Sequence, residues 1–102
     1  MNEKKNGRKK NGRKKTGRKK IVFTFHAPEA VEVQILGDFN RWNGKKHSMK
    51  KGSRGVWTKV MMLMPGTYEY KYKVDGIWME DPTNLSNRVN PFGTYNNILK
   101  VG

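Results

Sequence analysis

The stretch TYEYKYKVDGIWME, residues 67–80, decides the fold. Tyr68, Tyr70, Tyr72 and Val74 recur at every second position, with Thr67, Glu69, Lys71 and Lys73 between them. A period of two belongs to a strand, whose successive side chains point to opposite faces. The tyrosines and the valine mark a face for a core; the threonine, glutamate and lysines mark a wet face. Asp75-Gly76 is the preferred pair for a two-residue type I′ turn, because both central residues of that turn take positive φ. Such a turn pairs Val74 with Ile77 and Lys73 with Trp78. Directly opposed residues project to the same side of a sheet. Trp78 therefore falls on the wet face, beside Lys73 and diagonal to Lys71. A register slipped by one residue would bury the lysines and is disfavoured on that ground.

The same alternation spreads outward from this hairpin. Ile21, Phe23 and Phe25 alternate with Val22, Thr24 and His26, and Val31, Val33 and Ile35 with Glu32 and Gln34. Residues 56–63 are rich in β-branched and aromatic side chains, and Ile98 to Val101 can close a sheet. Turn signals separate these runs: Pro28, KGSRG at 51–55, Pro65-Gly66 and Asp75-Gly76. No window carries a helical period. The expected fold is all-β, a small antiparallel β-sandwich, with Trp57 in its core.

A second tryptophan stands in GDFNRWN, residues 37–43. Glycine, asparagine, aspartate and arginine around Trp42 give a turn composition, and turns lie on the surface. Two exposed tryptophans with lysines between them admit two readings. In one, the rings pack on each other or cap the edge of the core. In the other they form a binding platform, since exposed apolar patches mark interaction sites. A platform of this kind suits flat ligands, bases or sugars. A pyranose has an apolar C–H face for the rings and an edge of hydroxyls for Lys, Asn and Thr. Burying about 60 to 100 Å² per ring is worth roughly 1.5 to 2.5 kcal/mol before binding costs. Two rings then support affinity in about the micromolar to millimolar range.

The 102 residues suffice for one folded domain. There is no cysteine, hence no disulfide framework and no thiolate metal site. No stretch reads as a signal peptide or a membrane span, so the expectation is a cytoplasmic protein without membrane insertion. The glycosylation pattern at Asn84–Ser86 is then accidental.

The net charge of +14 is unevenly placed. Residues 1–20 carry eleven Lys/Arg and one Glu, and residues 21–102 carry eleven Lys/Arg against seven acids. Residues 6–20 repeat NGRKK, NGRKK, TGRKK, with no apolar side chain and like charges throughout. Such a segment buries too little to offset its ordering entropy and is expected to be disordered. The expected division is a polybasic tail over 1–20 and a sandwich over 21–102. Arg8, Lys9, Lys10, Arg13, Lys14, Lys15, Arg18, Lys19 and Lys20 are candidate contacts for unspecific nucleic acid or another polyanion. A solubilising tail without a partner accounts for the same residues. GRKKTGRK at 12–19 has the glycine spacing of a phosphate loop but not its Lys-Ser/Thr ending, strand or helix.

Catalysis finds little support. His26 and His47 have no ligand or triad spacing and read as surface residues. Glu80 and Asp81 are adjacent, and neighbours on a strand point to opposite faces, a poor arrangement for an acid–base pair. EDP at 80–82 reads as a turn after the hairpin. No nucleophile elbow or zinc pattern is present, and no metal or cofactor is expected.

GDFNRWN, GVWTKV, PGTYEYKYKVDGIWMEDP and NPFGTYNNILKV together resemble the glycogen-binding domain of AMP-activated protein kinase β subunits. They are similar also to the early-set, isoamylase-type modules (carbohydrate-binding family 48) of starch-branching and debranching enzymes. The resemblance covers residues 20–102. It implies an immunoglobulin-like sandwich that binds α-1,4-glucan, of glycogen or starch type, without catalysis. On that resemblance Trp42 and Trp78 stack on sugars and Lys71 bonds sugar hydroxyls. Phe92 projects into the curve of the glucan where leucine is usual, and Thr94 and Asn96 are hydrogen-bonding partners. Arg41 stands where asparagine is common. Two other readings stay open: polyanion binding through the tail with the sandwich as scaffold, and an early-set domain that docks a protein.

Overall fold

The alternating runs fold into eight strands in a computed structural model, which describes residues 17–43, 45 and 47–102. They are β1 (Lys19–His26), β2 (Val33–Gly37), β3 (Lys50–Lys51), β4 (Val56–Leu63), β5 (Gly66–Val74), β6 (Ile77–Met79), β7 (Asn87–Val89) and β8 (Tyr95–Val101). All pairs are antiparallel. One sheet runs β1-β4-β3 and the other β2-β5-β8-β7, with β6 also paired to β5. The fold is the expected all-β sandwich.

Its core lies between the sheets. Phe23 and Phe25 from β1, Trp57, Met61 and Leu63 from β4, Val33 and Ile35 from β2, and Tyr70 and Tyr72 from β5 are buried there. Trp57 is a core residue as expected, and its indole N–H donates to the Ala27 carbonyl at 2.8 Å. Buried tyrosines need partners for their hydroxyls. Tyr70 donates to Asp81 Oδ2 at 2.7 Å and Tyr72 to the Thr24 carbonyl at 3.2 Å. Burial, with the Asp81 carboxylate adding to it, pushes both phenols above the ordinary tyrosine range, so both remain donors.

The hairpin register is the one its turn chemistry specifies: Val74 faces Ile77 and Lys73 faces Trp78. Asp75 and Gly76 both take positive φ, 48° and 83°. β5 is the hub of its sheet. β2 covers one edge; on the other, β8 pairs with residues 66–70, and β6 takes over from residue 72. The junction is closed by Asn97, whose Oδ1 accepts from the Asp81 N–H at 2.7 Å and whose Nδ2 donates to the Asn84 carbonyl at 2.9 Å. By strand alternation, Glu69, Lys71, Lys73, Trp78 and Asn96 then share the outer face of this sheet.

Three local expectations change. Val31 is 87% exposed and lies outside β2. The Asp75 carboxylate takes the N–H groups of Val31 and Glu32 at 2.9 and 2.8 Å, so the turn holds this segment where a ladder would have. β1 begins at Lys19, two residues before the apolar alternation, because β4 is long enough to pair Lys19 with Leu63 and Lys20 with Met62. The short strands β3 and β7 were not expected from the sequence. Of the tail expected to be disordered over 1–20, residues 1–16, with the contacts assigned to Arg8, Lys9, Lys10, Arg13, Lys14 and Lys15, lie outside the described residues, whereas Lys19 and Lys20 stand in β1.

Candidate functional site

The GDFNRWN segment is shaped from its first residue. Gly37 ends β2, where a Cβ would stand 2.6 Å from the Glu69 carbonyl oxygen and 2.7 Å from the Phe39 ring, so only glycine fits. Asp38–Asn40 form one 3-10 turn. Asn40 is buried and pins that turn: its Oδ1 accepts the Gly37 N–H at 3.0 Å and its Nδ2 donates to the Ile35 carbonyl at 2.9 Å. The amide orientation is thereby set, and the same Nδ2 lies 2.9 Å from His47 Nδ1, which must accept. His47 is thus a half-buried loop partner rather than a plain surface residue. Arg41 and Trp42 follow with φ of 54° and 59°, left-handed conformations that cost of order 1–3 kcal/mol each outside glycine. The bonds from Trp42 N–H to the Gly37 carbonyl at 2.9 Å and from Asn43 N–H to the Asn40 carbonyl at 3.0 Å hold them there.

Asn40→Ala should therefore remove about 1–3 kcal/mol of stability by orphaning buried backbone groups, and should release the strained turn. A melting curve paired with tryptophan fluorescence checks this. An unchanged melting temperature with unchanged emission would contradict it.

Trp42 is half-buried, not exposed as its turn composition suggests. The left-handed pair turns the ring back over the sheet. Its indole N–H donates to Asp38 Oδ1 at 3.1 Å, and Asp38 Oδ2 accepts the Glu69 N–H at 2.8 Å, tying the loop to β5. Its ring meets Trp78 with centroids 6.2 Å apart and planes inclined at 56°. The tryptophans do pack on each other, and the tilt leaves an angled aromatic wall. Trp78 remains 46% exposed. Lys73 Nζ lies 5.2 Å from the Trp78 ring centroid, within cation–π range.

Lys71, expected on a wet face, is only 7% exposed. The loops at 38–43 and 90–94 rise on either side of this face and wall it in. Its ammonium donates to Thr94 Oγ1 at 3.1 Å. The 90–94 loop is organised by Asn90, which sequence reasoning missed. Asn90 Oδ1 accepts the N–H groups of Phe92 and Thr94 at 3.0 and 3.1 Å, and its Nδ2 donates to Thr94 Oγ1 at 2.7 Å and Asn96 Oδ1 at 3.0 Å. Asparagine three residues before a glycine, at the first and last positions of a turn, is a signal that could have located it. Phe92 sits at the tip of this loop, 89% exposed. Asn96 Nδ2 donates to Glu69 Oε1 at 3.2 Å, and Arg88 pairs with Glu69 Oε2 at 3.2 Å.

Trp42, Lys71, Trp78, Phe92, Thr94 and Asn96 line one depression of about 800 Å³. Asp38, Glu69, Asn90 and Pro91 complete its wall. Apolar surface is concentrated in three aromatic side chains, while hydroxyl, amide, ammonium and carboxylate groups border them. The acids Asp38 and Glu69 offset Lys71, so the depression is not a cation cluster for phosphate. It suits a neutral ligand with apolar faces and hydroxylated edges. Glu80 is exposed, whereas Asp81 is buried and accepts from Tyr70 and Thr83, which gives it a structural role. Among the described residues no group of His, Cys, Asp and Glu could hold a metal ion.

The family described as the glycogen recognition site of AMP-activated protein kinase matches residues 19–102. A 1,4-alpha-glucan branching enzyme of Trichormus variabilis is 36% identical over 73 residues, 72% of this chain and 9% of the enzyme. That of Synechococcus elongatus is 39% identical over 74 residues, 68% of this chain and 10% of the enzyme. Protein FLOURY ENDOSPERM 6, chloroplastic, of Oryza sativa subsp. japonica is 33% identical over 99 residues, 97% of this chain and 18% of that protein. The chain thus spans 9 to 18% of the length of these relatives.

Proposed function

The chain belongs to the family of glycogen recognition sites of AMP-activated protein kinase, a family of carbohydrate-binding modules that are not catalytic on their own, and from that premise we propose that its depression binds α-1,4-glucan. Trp42 and Trp78 stack on the C–H faces of successive sugars. Lys71, Thr94 and Asn96 bond the hydroxyl edge, and Phe92 stands in the concave side of the curved chain. The observation that carries this reading is the meeting of these six residues, from three separated stretches of sequence, in one depression. The likeness to regions of branching enzymes supports a role as the glucan-tethering part of a glycogen or starch system.

Co-sedimentation tests the reading. The full chain should pellet with glycogen and starch and stay in solution with cellulose. Retention by cellulose alone, or by none of the three, would overturn it. Lys71→Ala should weaken binding about fivefold, the worth of about one hydrogen bond. Raising salt from 0.05 to 0.5 M should change glucan affinity little, because the ligand is neutral. A titration showing a steep salt dependence would place the binding on the basic residues instead.

A further inference from the structure

The opposite face of the sandwich points to a second binding surface. On β1 and β4, Phe23, Phe25, Trp57 and Met61 turn inward, and Val22, Val60 and Met62 turn outward. Val22 is the direct cross-strand partner of Val60, and Met62, two residues along the same face, is opposite Lys20. The three aliphatic side chains therefore form one continuous stripe. Each is about half exposed, at 52%, 50% and 51%. The charge carried by this sheet's strands is of one sign, although Lys19, Lys51 and Lys59 fall on the alternate side, opposite the buried Leu63, Trp57 and Phe23. β1, β3 and β4 carry Lys19, Lys20, Lys50, Lys51 and Lys59 and not one acid. Lys20 shares the face of Val22, and Lys50, opposite Thr58, shares the face of Val60. Arg18 adds a guanidinium at the same end, donating to the Met62 carbonyl at 3.3 Å. Glu69, the one acid within a strand, belongs to the other sheet. β1 is also an edge strand among the described residues, where no strand pairs with the far side of its backbone ladder.

An aliphatic centre with a charged rim is the anatomy of a protein–protein contact, and methionine adapts to varied partners. From the charge complementarity we infer that this face docks a protein presenting aliphatic side chains ringed by carboxylates, seated over Val22, Val60 and Met62. A second copy is the wrong partner, because the charges beside the stripe, Lys20, Lys50 and Arg18, are all positive and would meet their like. Nucleic acid is a poor one, because the stripe offers aliphatic groups where single strands are gripped by aromatic stacking. The stripe and the glucan depression lie on opposite faces of the sandwich, whose sheets stack about 10 Å apart. Both can be occupied at once, and this inference does not depend on what fills the depression.

The test uses the full chain with labelled methyl groups and a peptide of ten alternating Glu and Val residues as probe. Saturable shifts are expected at the Val22, Val60 and Met62 methyls. Affinity should be at least about tenfold greater than for a decamer of glutamate alone. The double substitution Val60→Thr and Met62→Gln, on exposed positions, should weaken peptide binding about tenfold and leave malto-oligosaccharide binding and the core methyl shifts unchanged. Met62→Gln alone keeps the comparison open if the double variant folds poorly. Equal affinity for the glutamate decamer, or shifts absent from the stripe, would overturn the inference. So would saturation of the stripe by an RNA oligonucleotide or anionic vesicles in preference to the peptide.

Discussion

Trp78→Ala is expected to lower affinity for a malto-oligosaccharide by about thirtyfold, while the domain keeps its fold. Truncating a central aromatic in a binding site commonly costs about 2 kcal/mol or more. Trp78 is nearly half open to solvent, on the short strand β6, and forms no part of the core cluster. Its removal loses the contact with Trp42 and the approach of Lys73. These together should cost stability only about 1 kcal/mol, a shift of roughly 4–8 °C in a domain this size. Trp42→Ala should match the affinity loss and cost more stability, because its ring is half-buried and its indole N–H satisfies Asp38. Titration calorimetry on folded variants decides the matter. Parent-like affinity in either would place the sugar elsewhere, and collapse of the Trp78 variant would make that ring structural.

Trp57→Ala is expected to have the largest effect on stability, about 3–5 kcal/mol. The ring is buried between the sheets, and its truncation leaves both a cavity and the Ala27 carbonyl without its donor. Marginal domains hold only about 5–15 kcal/mol in total, so the variant should melt far below the parent or fail to fold at 37 °C. Where it does fold, at low temperature, its glucan affinity should be close to that of the parent, because Trp57 lies outside the depression. Thermal denaturation and binding at about 5 °C separate the two effects. A small melting shift would contradict the assignment of Trp57 to the core.

The contrast among the three tryptophans shows what the sequence makes legible. Trp57 and Trp78 could be placed because each lies on a strand, where a period of two and a turn with known pairing fix the side of the sheet. Trp42 could be given to a turn, but its burial could not, since two successive left-handed residues held by Asn40 and Gly37 are a property of the closed loop. Lys71 was given the correct face and the wrong exposure. Alternation tells the side of a sheet, but not whether distant loops rise over it. The Asn90 network and the capture of Val31 by Asp75 are likewise side-chain to backbone bonds between positions that the strand pattern does not relate. β3 and β7 are two and three residues long, too short to show any period. That the six candidate residues share a depression follows from the resemblance and the hairpin together; their contacts with glucan remain the proposal.

The most direct test of that proposal is calorimetric titration of the full chain with maltoheptaose beside cellohexaose, repeated on Trp78→Ala. Predicted are saturable heat with the α-1,4-linked chain in the micromolar to millimolar range, none with the β-linked chain, and loss of that heat in the variant. Equal heats from the two oligosaccharides, or a Trp78→Ala protein that titrates like the parent, would contradict it.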